Sequence, residues 1–354
     1  MRTRLLELDA LRGIAALVVV FFHYTMGRSQ AELGYNLGCI GVDMFFIISG
    51  FVIFMSIEQT NNWKVFLWHR FIRLYPVYWF CVSLTTIAIF FTNYFVFKEN
   101  TNDVLSLSFL LRYVANLTMF QYYMGISNID GPYWTLNIEL FFYILIAFIL
   151  VKRKVKLIEK IGSVLVLFCS LYCFKSIYNN DFFRFILKLF PIIRFFSLFF
   201  AGILIYKMKY DKITVFRLLL YLLTLVVQCL LFENCYPNNH YFGINEYIIV
   251  LIAVYGLFLL FLYDKLSFIV NSITLKIGKI SYSLYLIHQF IGISILIPGF
   301  MKFLNLHFWY ASFFSLSITL LLSYFITIYI EQPLVKKYRN LSKVILLEND
   351  FKIS

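Results

Sequence analysis

Ten apolar runs, each long enough to cross a lipid bilayer, constrain this chain more than any other feature of it. They fall at 10–26, 38–57, 75–95, 133–151, 161–178, 190–206, 214–232, 245–263, 280–300 and 309–330. A helix rises about 1.5 Å per residue, so roughly 20 apolar residues match a hydrocarbon layer of about 30 Å. Inside lipid every backbone N–H and C=O must be satisfied by the protein itself, and a helix does so within one segment. The expected fold is therefore all-α, a polytopic membrane helix bundle of about ten transmembrane helices. Only 14% of the residues are charged, against about 25% in soluble domains, which is too few to clothe a water-facing surface. No linker rich in Pro, Gly or Ser divides the chain, so a single transmembrane domain is expected over 1–340, with a cytoplasmic tail at 341–354. The basic start and first apolar run resemble a signal peptide. Asp9 and Arg12 interrupt that run and no A-x-A-like site follows it, so it reads as an uncleaved first span. The stretch 103–124 is apolar but carries Arg112, Asn116 and Gln121, and reads as an interfacial or re-entrant helix.

A net charge of +13 raises nucleic acid or anionic lipid as partners. The distribution of that charge points to a membrane and away from nucleic acid. With the spans above, 23 Lys and Arg fall on one side and 6 on the other, alternating loop by loop. The positive-inside rule then places both termini in the cytoplasm. The six cysteines form no CxxC pair and mostly lie within apolar runs, as buried small hydrophobes do. Cys39 and Cys235 both fall near outer ends, which leaves a disulfide between them as a second option.

Ionisable groups in hydrocarbon are costly, and each marks either a functional site or a structural pair. Arg12 and His23 are eleven residues apart, nearly on one helix face and about 16 Å apart along the axis. They are either a snorkelling cation and a packed ring, or an anion anchor and an acid/base on one wall of a cavity. Asp43 and Glu139 begin their spans from the outer side, so both are expected at the depth of His23, in one shared polar cavity. Structural pairing is the alternative for Asp43. Arg70 and Arg73, one turn apart, are either a positive-inside anchor or a fork for polyphosphate. Tyr133 and Trp134 suit an interfacial belt and could also stack on a sugar. His288 and Glu331 read as packed residues. The five histidines are dispersed and no Cys/His/Asp set has ligand spacing, so no metal is expected.

These residues lie in segments with a recognisable order: LDALRGIAALVVVFFHY, GCIGVDMFFIISGFVIF, HRFIRLYPVYW, WTLNIELFFYIL, ISYSLYLIHQF and YIEQPLVKKY. Together they resemble integral-membrane acyltransferase family 3, the bacterial O-acetylases of O-antigen and exopolysaccharide, over roughly residues 5–340. Thr135 stands for the usual Ser, Ala10 for the usual Gly, and Gln289–Phe290 for the usual aromatic and Pro. The resemblance implies an enzyme of the bacterial inner membrane. It would transfer an acyl group, commonly acetyl, from cytoplasmic acyl-CoA to a hydroxyl of a cell-surface glycan or lipid-linked sugar. His23 would be the general base, with Asp43 or Glu139 orienting its ring, or His23 would itself be acylated. Arg12, Arg70 and Arg73 would hold the CoA phosphates, and Trp134 and Tyr133 would contact the sugar. A chain ending soon after the last span would be a stand-alone transferase. A glycan-lipid flippase or transporter, or a polysaccharide polymerase, would also have many spans with buried charges. The first should show internal repeats and the second a large basic outer loop, and the chain has neither.

Overall fold

Long stretches of Leu, Ile, Phe and Val leave the backbone few partners but itself, and helices are what form. The computed structural model describes residues 5–26, 28, 36–60, 62–96, 101–235 and 243–338. The tail at 341–354 lies outside the described residues. No strand occurs among the described residues. The helices of seven or more residues are α1 (Leu6–Thr25), α2 (Gly41–Thr60), α3 (Trp63–Phe91), α4 (Leu107–Leu117), α5 (Trp134–Val151), α6 (Ile158–Ser170), α7 (Asp181–Leu189), α8 (Phe196–Tyr210), α9 (Val215–Cys235), α10 (Ile244–Leu262), α11 (Ser272–Ile287), α12 (Ile297–Phe303) and α13 (Phe308–Ile326). Nine π-helical residues, His288–Leu296, join α11 to α12.

Seven helical stretches are long and apolar enough to cross a bilayer: Asn36–Thr60, Trp63–Tyr94, Gly131–Val151, Val215–Cys235, Ile244–Leu262, Ser272–Phe303 and Phe308–Tyr338. The other three expected spans are helical in shorter or more polar form. The run at 10–26 is α1, which carries Glu7, Asp9 and Arg12. At 161–178, α6 stops after 13 residues and a 3-10 turn follows. At 190–206, the 3-10 turn Pro191–Arg194 precedes the 15-residue α8.

The chain packs as two compact units. The first is Met1–Asn61 with Ile138–Lys279, the second Asn62–Asn137 with Ile280–Ser354. In the first unit α8 is central, with twelve of its fifteen residues buried. A helix apolar on every face belongs in a core. It lies against α2 through reciprocal glycines: Gly50 faces the backbone of Phe199, and Gly202 faces the backbone of Ile47. Gly41 in turn seats the first turn of α2 against Ala15 and Val19 of α1. Small residues of this kind let helix axes approach where no hydrophobic effect drives them together.

One end of this unit is tied by charge. Lys207 bonds Glu58 and Asp211, both at 3.1 Å, Arg217 bonds Glu159 at 2.7 Å, and Lys209 bonds Asp264 at 2.8 Å. The end of α2, the starts of α6 and α9 and the ends of α8 and α10 therefore share one side, as alternating spans require. The optional disulfide is not formed: all six cysteines are free, and Cys235 Sγ instead lies 3.7 Å from the Tyr172 carbonyl.

In the second unit the stretch read as interfacial or re-entrant forms α4, eleven residues long and about 16 Å by rise, too short to cross. Its C-terminal carbonyls, which a helix cannot satisfy internally, receive side chains of α3. Tyr78 bonds the Asn116 carbonyl, Trp79 that of Leu117 and Tyr75 that of Thr118, at 2.8, 2.8 and 3.1 Å. On its other face Leu107, Leu110, Leu111 and Val114 are exposed at helical spacing.

Candidate active site

Of the residues singled out above, Arg12, His23, Asp43 and Glu139 fall in the first unit, and Arg70, Arg73, Tyr133 and Trp134 in the second. His23 is half-buried on the last turn of α1. Its Nδ1 lies 3.1 Å from the Val19 carbonyl. A carbonyl can only accept, so Nδ1 carries the proton, and the neutral ring has its basic lone pair on Nε2. The backbone, rather than a carboxylate, supplies this contact to Nδ1. At the other end of α1 the Arg12 guanidinium meets Asp9 at 3.4 Å. Asp43 is fully buried and accepts a hydrogen bond from the Tyr247 hydroxyl at 2.9 Å. Glu139 Oε1 accepts from Ser49 at 3.1 Å and from Tyr143 at 2.5 Å.

The expected common depth of His23, Asp43 and Glu139 is not what forms. Ser49, the partner of Glu139, is six residues beyond Asp43 on α2, or about 9 Å of helix rise. Helix α5 follows a 3-10 turn, Gly131–Tyr133, whose Pro132 and Tyr133 are themselves buried. The outcome is a string of polar groups along α1 and α2. His23 stands toward one end, beside the turn of α1 on which the start of α2 is seated. The Ser49–Glu139 pair lies further along α2, and Arg12 with Asp9 toward the opposite end of α1.

In the second unit Arg70 is buried, with its guanidinium 5.5 Å from the centre of the Phe66 ring, and Arg73 is half-buried one turn on. Trp134 is half-buried. Tyr133 differs from expectation. It is 1% exposed, its hydroxyl bonds the Leu286 carbonyl at 3.2 Å and its ring meets Tyr78 edge-on, so it is packed inside the unit and offers no open face to a sugar. His288 is buried, with Nδ1 directed at the carbonyls of Leu284 and Tyr285 at 3.1 and 2.9 Å. Glu331 accepts from Ser283 at 3.4 Å.

A family model described as an acyltransferase domain matches residues 5–328. The chain belongs to acyltransferase family 3. Among the relatives of this chain is the peptidoglycan O-acetyltransferase OatA of Listeria monocytogenes, 28% identical over 161 residues, which are 42% of this chain and 24% of OatA. Another is Protein 2 in picA locus of Rhizobium radiobacter, 36% identical over 100 residues, 26% of this chain and 49% of that protein. The chain spans less than half the length of the curated relatives it matches. No solved structure matches it.

Four of the chain's polar residues escaped the sequence reading. Asp9 reads in the sequence only as an interruption of the first span, and nothing there singles out Ser49 or Tyr247. The fourth, Asp130, is buried before α5 and accepts from the backbone N–H groups of Gly131 at 2.7 Å and Phe290 at 3.1 Å. Burial pushes its carboxyl up to about 7 despite both donors. A carboxyl raised above its unfolded value near 3.9 makes the folded state bind more protons than the unfolded one. Its contribution is most favourable below about pH 4, declines as pH rises toward 7 and is flat above. Thermal melts of the purified protein should fall between pH 5 and pH 8, and Asp130→Asn should flatten that slope. An unchanged slope in the variant would show that Asp130 does not titrate there.

Proposed function

We propose that this protein is a membrane O-acyltransferase that moves an acyl group, acetyl in the first instance, from cytoplasmic acyl-CoA to a hydroxyl of a cell-surface glycan or lipid-linked sugar. One observation supports this mechanism: on the family-matched first helix, Nδ1 of His23 meets the Val19 carbonyl, which leaves the ring's basic lone pair on Nε2. In the reaction the sugar oxygen attacks the thioester carbonyl while Nε2 takes the hydroxyl proton. The carbon–sulfur bond then breaks, and the departing CoA thiolate takes that proton back. An imidazole can both take up and give up a proton near neutral pH, which suits both halves of this exchange. Asp43 and Glu139 would stabilise the positive ring by their charge. Arg12 would hold CoA phosphate at the inner end of α1. Arg70 and Arg73 are assigned the same task through their motif, and Trp134 is assigned to the sugar. OatA's name, a peptidoglycan O-acetyltransferase, supports a glycan acceptor and acetyl as donor group. The same proposal has about ten spans, both termini in the cytoplasm, and the bacterial inner membrane as location.

Inverted membrane vesicles containing the protein and their own glycan, supplied with radiolabelled acetyl-CoA, test this directly. Base-labile label should enter the glycan only when the protein is present; consumption no faster than in vesicles lacking it would rule the proposal out. In the same assay Arg12→Gln should raise KM for acetyl-CoA about tenfold, the size of one lost hydrogen bond to a charged group, with kcat little changed. An unaltered KM would remove Arg12 from the donor site.

A further inference from the structure

The Asp43 carboxylate has a built seat. Both Asp43 and Tyr247 are 0% exposed, and the tyrosine hydroxyl donates to Oδ2 at 2.9 Å. The tyrosine ring is itself held, stacked on Phe232 with centroids 4.1 Å apart and planes 14° from parallel. In the same unit Gln228, also fully buried, accepts from the Ser197 hydroxyl and donates to the Arg194 carbonyl at 3.2 Å. This buried polar layer runs across α2, α8, α9 and α10, where apolar side chains would pack without the cost of taking polar groups out of water.

We propose that Tyr247 is a positioning residue for acyl transfer, fixing the Asp43 carboxylate where its charge favours protonated His23. The proposal rests on His23 being the base. Because the Val19 carbonyl already meets Nδ1, Asp43 is not needed to aim the ring through that nitrogen, and what it can add is a fixed negative charge. The first turn of α2 is seated by Gly41 on Val19, the residue whose carbonyl meets the ring. A charge acts on a developing cation to the extent that it is already in place and does not reorganise. Tyr247 provides that fixity, because its hydroxyl sits on a ring that Phe232 prevents from turning away.

The vesicle assay separates this role from packing. Tyr247→Phe deletes one oxygen and is expected to lower the rate of label incorporation about tenfold, while KM for acetyl-CoA stays within about twofold. Asp43→Asn should lose more, and the double variant should be no slower than Asp43→Asn alone, since Tyr247 acts only through that carboxylate. Tyr255→Phe deletes another buried hydroxyl, which bonds Thr224 at 3.2 Å, and should stay within about twofold of the parent. Should Tyr247→Phe fail to accumulate folded, Phe232→Leu keeps the hydroxyl but frees the ring, and a severalfold loss is expected. An unchanged rate in whichever variant is assayed, or losses that multiply in the double variant, would overturn the proposal. If His23→Ala still incorporated label, the base assignment would fail instead, which is a distinct result.

Discussion

His23→Ala is expected to abolish acyl incorporation while the protein stays folded. General-base catalysis contributes roughly 10²–10⁴-fold, and no other imidazole among the described residues of this unit is available to replace it. His288 belongs to the other unit and is wholly buried. Structurally the change is mild. His23 is half-buried, and its contact at Nδ1 is to a helix carbonyl, so losing the ring should cost about 1 kcal/mol, the net worth of one ordinary hydrogen bond. Melting temperature and detergent-solubilised size should therefore match the parent. His23→Gln, which restores a donor but no base, should be equally inactive. Near-normal incorporation by either folded variant would end the general-base mechanism.

The second large effect is on the fold. Gly50 and Gly202 are matched at the crossing of α2 and α8, each against the other helix's backbone. A flexible side chain can move aside, but a backbone carbonyl in a helix cannot without breaking its own hydrogen bond. Valine at either position forces the helices apart. Overpacking commonly costs about 1–3 kcal/mol, and separation of the central helix of the unit should reach or exceed the upper end. Gly50→Val and Gly202→Val should each give little monodisperse protein in size-exclusion chromatography. Gly256→Ala is the matched control, since an added Cβ there meets nothing within 4 Å. A normal yield of either valine variant would mean that the interface tolerates separation.

The class of fold was legible because it follows from one quantity, the shortage of charge over long apolar runs. Segments near 161–178 and 190–206 were not, because hydropathy does not register where a helix breaks into a 3-10 turn. Arg12, His23, Asp43 and Glu139 announced themselves by their cost in lipid. Their partners did not. Tyr247, Ser49 and Tyr143 are cheap to bury and common in membrane helices, and only the fold reveals which carboxylate each one meets. The place of Glu139 beside Ser49 was hidden because spacing within one span does not say which residue of a neighbouring helix it meets. The burial of Tyr133 was hidden because an aromatic at a span's edge has the same composition whether it faces lipid headgroups or a neighbouring helix.

The proton on Nδ1 bears on a route with an acylated enzyme. An imidazole tied at one nitrogen to a helix carbonyl has a single port. Were the acyl group to be parked on Nε2, the ring would have spent its one lone pair, and the incoming alcohol would find no base there. A double-displacement pathway would then have to recruit a second proton acceptor from Asp43 or Glu139. A ternary complex needs only the one nitrogen, visited first by the alcohol's hydrogen and then by the leaving sulfur.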